Sequence, residues 1–179
     1  AETLIERGCV LISQHADSMG APTACETAGV PNVAYNGSTG KSTMVAYSRI
    51  NWVPYFEHMI DKYVNHTIAD DYCGNISNGA VEYFVEGPAA VEGTKAAVDA
   101  IKAELLAGTR RVFDCSKFTV DGEHLTSYAA DIDGDYAPDA GVNVIKTENG
   151  ITYFDESNAD EFRSAPYFDL DIDGITLLN

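Results

Sequence analysis

Basic residues are scarce in this chain. Lys and Arg number 11 against 28 Asp and Glu, a formal charge of −17 over 179 residues. Such a surface repels phosphate backbones and anionic lipid head groups, which argues against nucleic-acid binding and polybasic membrane attachment. Apolar runs are short as well, none approaching the roughly 18 residues of a membrane span. The opening "AETLIERGCV" carries Glu2, Glu6 and Arg7 where a signal peptide would be apolar. Cysteine is sparse. Cys9, Cys25, Cys73 and Cys115 contain no C-x-x-C pair, which argues against a zinc ribbon or a thioredoxin-type couple. Four are too few for a disulfide scaffold, so buried free thiols are expected, with a single disulfide as the alternative.

What is present is ordinary globular material, 45% hydrophobic and 10% aromatic, a composition that points to a packed core rather than disorder. "AETLIERG" reads as the tail of a helix, with Ala1, Leu4 and Ile5 on one face and Gly8 past its end. The apolar run at 9–14 predicts a strand buried on both faces, and a helix is expected over roughly 20–28, stopped by Gly29. "PNVAYN" (31–36) is a second strand, so strand, helix and strand form a right-handed parallel βαβ unit. "MVAYS" (44–48) and "GAVEYFV" (79–85) are further strands. Trp52, Tyr55, Phe56, Met59, Ile60, Tyr63 and Val64 form the stripe of an amphipathic helix with Asn51 as its N-cap and Pro54 in its first turn. A later helix ends at Gly108 and offers Val98, Ile101 and Leu105 as a buried face, and "RRVFD" begins another strand. Residues 115–179 carry two expected hairpins, turning at Asp121-Gly122 and Asn149-Gly150.

Four stretches imitate known chemistry. "YNGSTGKST" ends like a Walker A loop, but that motif needs glycine at position 35, where tyrosine stands. "NGSTG" falls short of a nucleophile elbow because Asn36 replaces its first glycine. His15, Asp17 and Ser18 lie too close along one loop for a catalytic triad, whose members come from separate elements. "DIDGD" (131–135) and "DLDIDG" (169–174) echo calcium loops, yet the twelfth position from Asp131 is Val142 rather than glutamate. No metal and no cofactor is therefore expected. What remains is positional. In an open parallel sheet, ligands sit where strands end and helices begin. The strand ends bring His15, Asp17 and Ser18, then Asn36, then Asn51 with Trp52, to one edge of one sheet.

Those residues carry a resemblance. "AETLIERGCVLISQHADSMGAPTACETAGVPNVAYN", "SRINWVPYFEHMIDKYV" and "VFDCSKFTVDG" resemble the basic membrane protein family of substrate-binding lipoproteins of ABC transporters, in its purine or adenine branch. The resemblance implies a type I periplasmic-binding-protein lobe of α/β class, a mostly parallel sheet flanked by helices with a hairpin-rich C-terminal segment. It implies that residues 1–114 form the α/β lobe, that 115–179 complete the same lobe, and that the N-terminal lobe is absent from this chain. The helix tail at residue 1 agrees with that. It further implies a non-enzymatic protein, outside the cytoplasm and held by a lipid anchor beyond this chain, handing a purine nucleobase or nucleoside to a transporter permease. The implied ligand-binding residues are His15, Asp17, Ser18, Asn36, Asn51 and Trp52, although Trp52 fits a core role equally well. Asn36 and Asn51 stand where nucleoside-binding members carry an aspartate and a lysine, which favours a nucleobase. The alternative reading is a small α/β hydrolase or nucleotide-hydrolysing enzyme using His15, Asp17 and Ser18 or the Lys41 loop.

Overall fold

A computed structural model describes residues 1–68, 72–131, 137, 139, 141–155 and 170–176. The chain divides into two compact units, one of residues 1–58 and 76–101, the other of 59–75 and 102–179.

The first unit is built on a four-stranded sheet. After helix α1 (Glu2–Glu6) come strand β1 (Ile12–Ser13), helix α2 (Gly20–Ala28), β2 (Asn32–Ala34), β3 (Met44–Ile50) and β4 (Val81–Phe84). The strands lie in the order β1-β2-β3-β4, the first three parallel and β4 antiparallel to β3. This is the expected mixed α/β arrangement, a mostly parallel sheet flanked by helices. Local chemistry explains the boundaries. Gly8 adopts φ 91 after α1, so that the Cys9 and Gly8 N–H groups reach back to the Leu4 and Ile5 carbonyls. Gly29 closes α2 at φ 70, and the buried Pro22 is accepted in the first turn, where no backbone donor is used.

The loop 35–43 is the unusual connection. It joins two parallel strands without a helix and therefore runs back from the C-terminal edge of the sheet to the N-terminal edge. There the register slips between Asn32 and Val33, so that Met44 faces Asn32 and Ala46 faces Val33. The carbonyls freed at Val45 and Met44 accept from the Gly87 and Ala89 N–H groups, at 3.1 and 2.9 Å. Gly87 lies so close that a Cβ there would stand 1.9 Å from the Met44 carbonyl oxygen. Only a residue without a side chain lets the backbones meet.

Three expectations about the first unit and its helices need correction. The strand at 9–14 shrinks to Ile12–Ser13, with Val10 81% and Leu11 51% exposed. It is an edge strand with a partner on one side, whereas an unbroken apolar run is buried on both faces only in a sheet interior. Helix α3 (Val53–Val64) forms as expected, but its apolar stripe is not buried: Phe56 is 57% and Ile60 62% exposed. In α4 (Thr94–Leu106), Val98 and Leu105 are half-buried and Ile101 is exposed. Amphipathic spacing sets which side a helix offers, while burial needs a layer to cover it, and that layer is not written in the helix itself.

In the second unit, β5 (Ile145–Glu148) and β6 (Ile151–Phe154) make the expected hairpin. Asn149 and Gly150 both take positive φ, 51 and 79, as the tight turn demands. Its core gathers Cys115, Ala130, Val144, Ile145 and Phe154. The hairpin expected at Asp121-Gly122 keeps the turn but only one bridge, between Val120 and Glu123. Its flanking side chains are engaged elsewhere: Thr119 donates to Asp173, and the His124 ring nitrogen Nδ1 lies 2.8 and 2.7 Å from the Cys115 and Phe118 carbonyls. "RRVFD" likewise gives a single bridge, Asp114 to Tyr153, because Asp114 turns to cap the 3-10 helix η1 (Cys115–Lys117) by accepting from the Ser116 N–H. Residues 132–135 and Asp169 of the calcium-like stretches lie outside the described residues. Asp173, within them, is a turn anchor that accepts from Thr119 Oγ1 and the Gly122 N–H. All four cysteines are free thiols, Cys25 and Cys115 buried as expected and Cys9 exposed.

Candidate functional site

Because β1, β2 and β3 are parallel, the residues that follow them emerge at one edge of the first unit's sheet. Ser13 pairs with Val33, and the Gln14 N–H reaches the Val33 carbonyl at 3.1 Å. One further step of that register sets His15 beside Tyr35, and their rings do meet, centroids 4.3 Å apart and planes tilted by 32°. The next residue, Asn36, turns the chain at φ 58, a conformation asparagine tolerates better than most side chains. Its Oδ1 accepts from the Ile50 N–H at 3.3 Å, which ties the end of β2 to the end of β3. Asn51 and Trp52 follow directly. His15, Tyr35, Asn36, Asn51 and Trp52 thus form a row along the C-terminal strand ends from β1 to the start of α3, with the His15–Tyr35 ring contact joining β1 to β2 and the Asn36–Ile50 hydrogen bond joining β2 to β3.

The members of the row differ in what they have left to offer. Asn51 is committed on both sides, its Oδ1 accepting from the Val53 N–H and its Nδ2 donating to the Gly79 carbonyl. It is a cap for α3 and a tie to the loop before β4. Trp52 is 56% exposed and meets Tyr55 edge-on at 5.8 Å, so it belongs to the surface and not to the core. Asn36 has used its oxygen, and its amide N–H donors face no acceptor among the described residues. His15, Asp17 and Ser18 are all exposed. Their loop is shaped by Gln14, whose Nε2 donates to the Ala16 and Ser18 carbonyls at 3.1 and 3.4 Å. Gln14 is held in turn by Asn32, which is 1% exposed and donates to Gln14 Oε1 and the Ile12 carbonyl. Among the described residues neither the Asp17 carboxylate nor the Ser18 hydroxyl has a hydrogen-bond partner, and the His15 ring is turned to Tyr35. Among the described residues no hydrogen bond joins His15, Asp17 and Ser18 into a nucleophile–base pair.

The Walker-like end of the loop lies at the opposite edge. There the Glu26 carboxylate, from the last turn of α2, accepts from the backbone N–H of Ser42 and Thr43 at 3.3 and 3.1 Å. It also accepts from their hydroxyls, at 3.0 Å for Ser42 and 3.1 Å for Thr43. The donors that would cradle a phosphate already hold an anion of the protein's own. The Thr43 amide foremost, with the Ser42 and Thr43 groups beside it, keeps the Glu26 carboxyl below its ordinary value. Upstream, the Gly40 and Lys41 N–H groups bond to Ser38 Oγ and Thr39 Oγ1.

Sequence reasoning missed Tyr35 and Glu26 as site-shaping residues. Tyr35 entered only as the side chain that spoils a glycine motif, although parallel pairing of the two strands places it beside His15. Nothing in the sequence pointed to Glu26, an ordinary surface residue in a helix.

No family model matches the sequence, and no curated protein gives a significant match. Among solved structures the chain is similar to an ABC transporter system solute-binding protein from Conexibacter woesei DSM 14684, at 17% identity with a TM-score of 0.46. The match covers 62% of this chain and 39% of that one.

Proposed function

We propose that this chain is a non-enzymatic solute-binding lobe that captures a purine at the C-terminal edge of its parallel sheet. The observation that carries this reading is the row from His15 to Asn36: an aromatic pair, the Asn36 amide donors that face no acceptor among the described residues, and, on the loop after His15, a carboxylate and a hydroxyl without a hydrogen-bond partner among them. Flat rings stack on aromatic surfaces, and a few fixed polar groups orient them. Asp17 suits an exocyclic amine, and the free amide of Asn36 suits a ring nitrogen or carbonyl. A nucleobase fits better than a nucleoside. The row offers no charged group beyond Asp17 for a ribose, and Asn51 is occupied as a cap. The sequence resemblance supports the same ligand class and adds the setting: an ABC importer, its permease as partner, and a lipid-anchored protein outside the cytoplasm whose first lobe closes the other side of the ligand.

Calorimetric titration with adenine, adenosine and guanosine tests the reading, on this chain and on the chain joined to such a first lobe. Adenine is expected to bind most tightly. Replacing His15 or Asp17 by alanine is expected to weaken it about tenfold, the loss of one good polar or stacking contact. Absence of binding by every purine in the two-lobed protein overturns the ligand class. Turnover of an ester or a nucleotide by the purified chain overturns the non-enzymatic reading.

A further inference from the structure

The site owes its shape to a residue outside the set of ligand contacts named above. We infer that Tyr35 is a positioning residue which holds the His15 imidazole as a flat platform, and that a planar heteroaromatic ring stacks on the platform's solvent-facing side.

Three observations carry this. The two rings lie 4.3 Å apart with their planes tilted by 32°, a close contact that restrains rotation of the imidazole. The contact follows from backbone register, Ser13 against Val33 and Gln14 N–H to the Val33 carbonyl, and so from the two adjacent strands. Both partners stand just past the ends of parallel strands, before Asn36 bends the chain away at φ 58. His15 nevertheless stays exposed, while Tyr35 is half-buried. With one face covered by the phenol, the imidazole's remaining face is the open one. A lone exposed histidine would spend rotational freedom on stacking a ligand. A histidine already stacked has lost that freedom on folding, so Tyr35 improves affinity without touching the ligand.

The inference deepens the purine reading but does not need it, since any planar heteroaromatic satisfies the platform. The test uses the full chain with adenine, uracil, nicotinamide and indole as flat probes and ribose as a puckered one. Binding is followed by the NMR shifts of the His15 ring protons as well as by calorimetry. A stacked flat ring is expected to move those protons upfield, and ribose is not. Tyr35→Phe is expected to bind within about twofold of the parent, because the ring is kept. Tyr35→Leu is expected to bind about tenfold more weakly and to lose most of the upfield shift, at an unchanged melting temperature. A merely structural tyrosine would change melting and leave the ring-proton signature of the bound ligand intact. Undiminished binding by Tyr35→Leu, or flat-ring binding without a His15 shift, overturns the platform. If adenine fails but another flat ring binds with this pattern, the platform stands and the purine reading falls. If no flat ring binds, the platform falls.

Discussion

The loop 35–43 starts at one edge of the sheet and finishes at the other, and its two ends treat similar groups in opposite ways. At the finish, the hydroxyls and amides of Ser42 and Thr43 are all turned onto Glu26, and the adjoining β3 carbonyls are taken by Gly87 and Ala89. At the start, Asn36 gives one oxygen to Ile50 and keeps its amide donors, while on the loop after β1 the Asp17 carboxylate and the Ser18 hydroxyl have no hydrogen-bond partner among the described residues. A polar group satisfied inside the protein stabilises the fold and has nothing for a ligand. One left wet costs little at a surface and is available. The stretch that looks most like a phosphate loop is the closed end, and the inconspicuous Tyr35-Asn36 pair is the open one.

The closed end is the one that substitution should damage most. Gly87→Ala drives a Cβ to 1.9 Å from the Met44 oxygen and 2.7 Å from the Val45 carbonyl carbon, both backbone atoms that cannot step aside. Chemical denaturation is expected to show a loss of about 3 kcal/mol or more. Glu26→Gln comes next, and its effect should depend on pH. The folded protein holds this carboxyl below its ordinary value, so its stabilisation is complete above the unfolded-state value and disappears as pH falls through the lower folded one. Parent and variant should therefore differ clearly in melting temperature at pH 7 and converge in acid. Equal melting at pH 7 would mean that the clasp contributes nothing.

The open end should respond weakly in stability. Asn36→Ala removes the bond to Ile50 and places a less tolerant residue at φ 58, an expected cost of about 1 kcal/mol, whereas Asn36→Gly should recover part of it. Either variant should lose purine affinity, which separates the amide's binding role from its backbone role. The smallest effect belongs to Lys41→Ala, expected within about 0.5 kcal/mol in denaturation. ATP titrated into the parent or this variant should give no heat, because the phosphate-type donors are already engaged. Measurable ATP affinity lost on Lys41→Ala would reverse the assignment of the two ends.

Much of the local structure was legible in the sequence. Gly29 marked the end of α2, Asn149-Gly150 marked the β5–β6 turn, and Asn51 marked the start of α3, each through backbone chemistry confined to a few residues. The parallel pairing of β1 and β2 was legible too, from the helix between them. What escaped depends on partners distant in the chain. Whether Val10, Leu11 or Phe56 is buried is decided by what covers it, and the apolar pattern states only a preference. The hairpin at Asp121-Gly122 shrank because Asp173, distant in the chain, claims the turn. Of the candidate site, the strand-end positions of His15, Asp17, Ser18 and Asn36 were visible as a pattern. The coupling of His15 to Tyr35 needed the register, and Glu26 needed the loop to cross the sheet.

Trp52 has a practical bearing on how this molecule can be watched. It is the chain's one indole, and at 56% exposure it is already largely wetted in the native state. Its emission should shift little when the protein denatures, so melting is better followed by circular dichroism. For the same reason, anything that settles over this end of the row, whether a ligand or a second lobe, would dry the indole and shift its emission to the blue. The protein carries an unlabelled optical gauge that is nearly blind to unfolding and responsive to coverage.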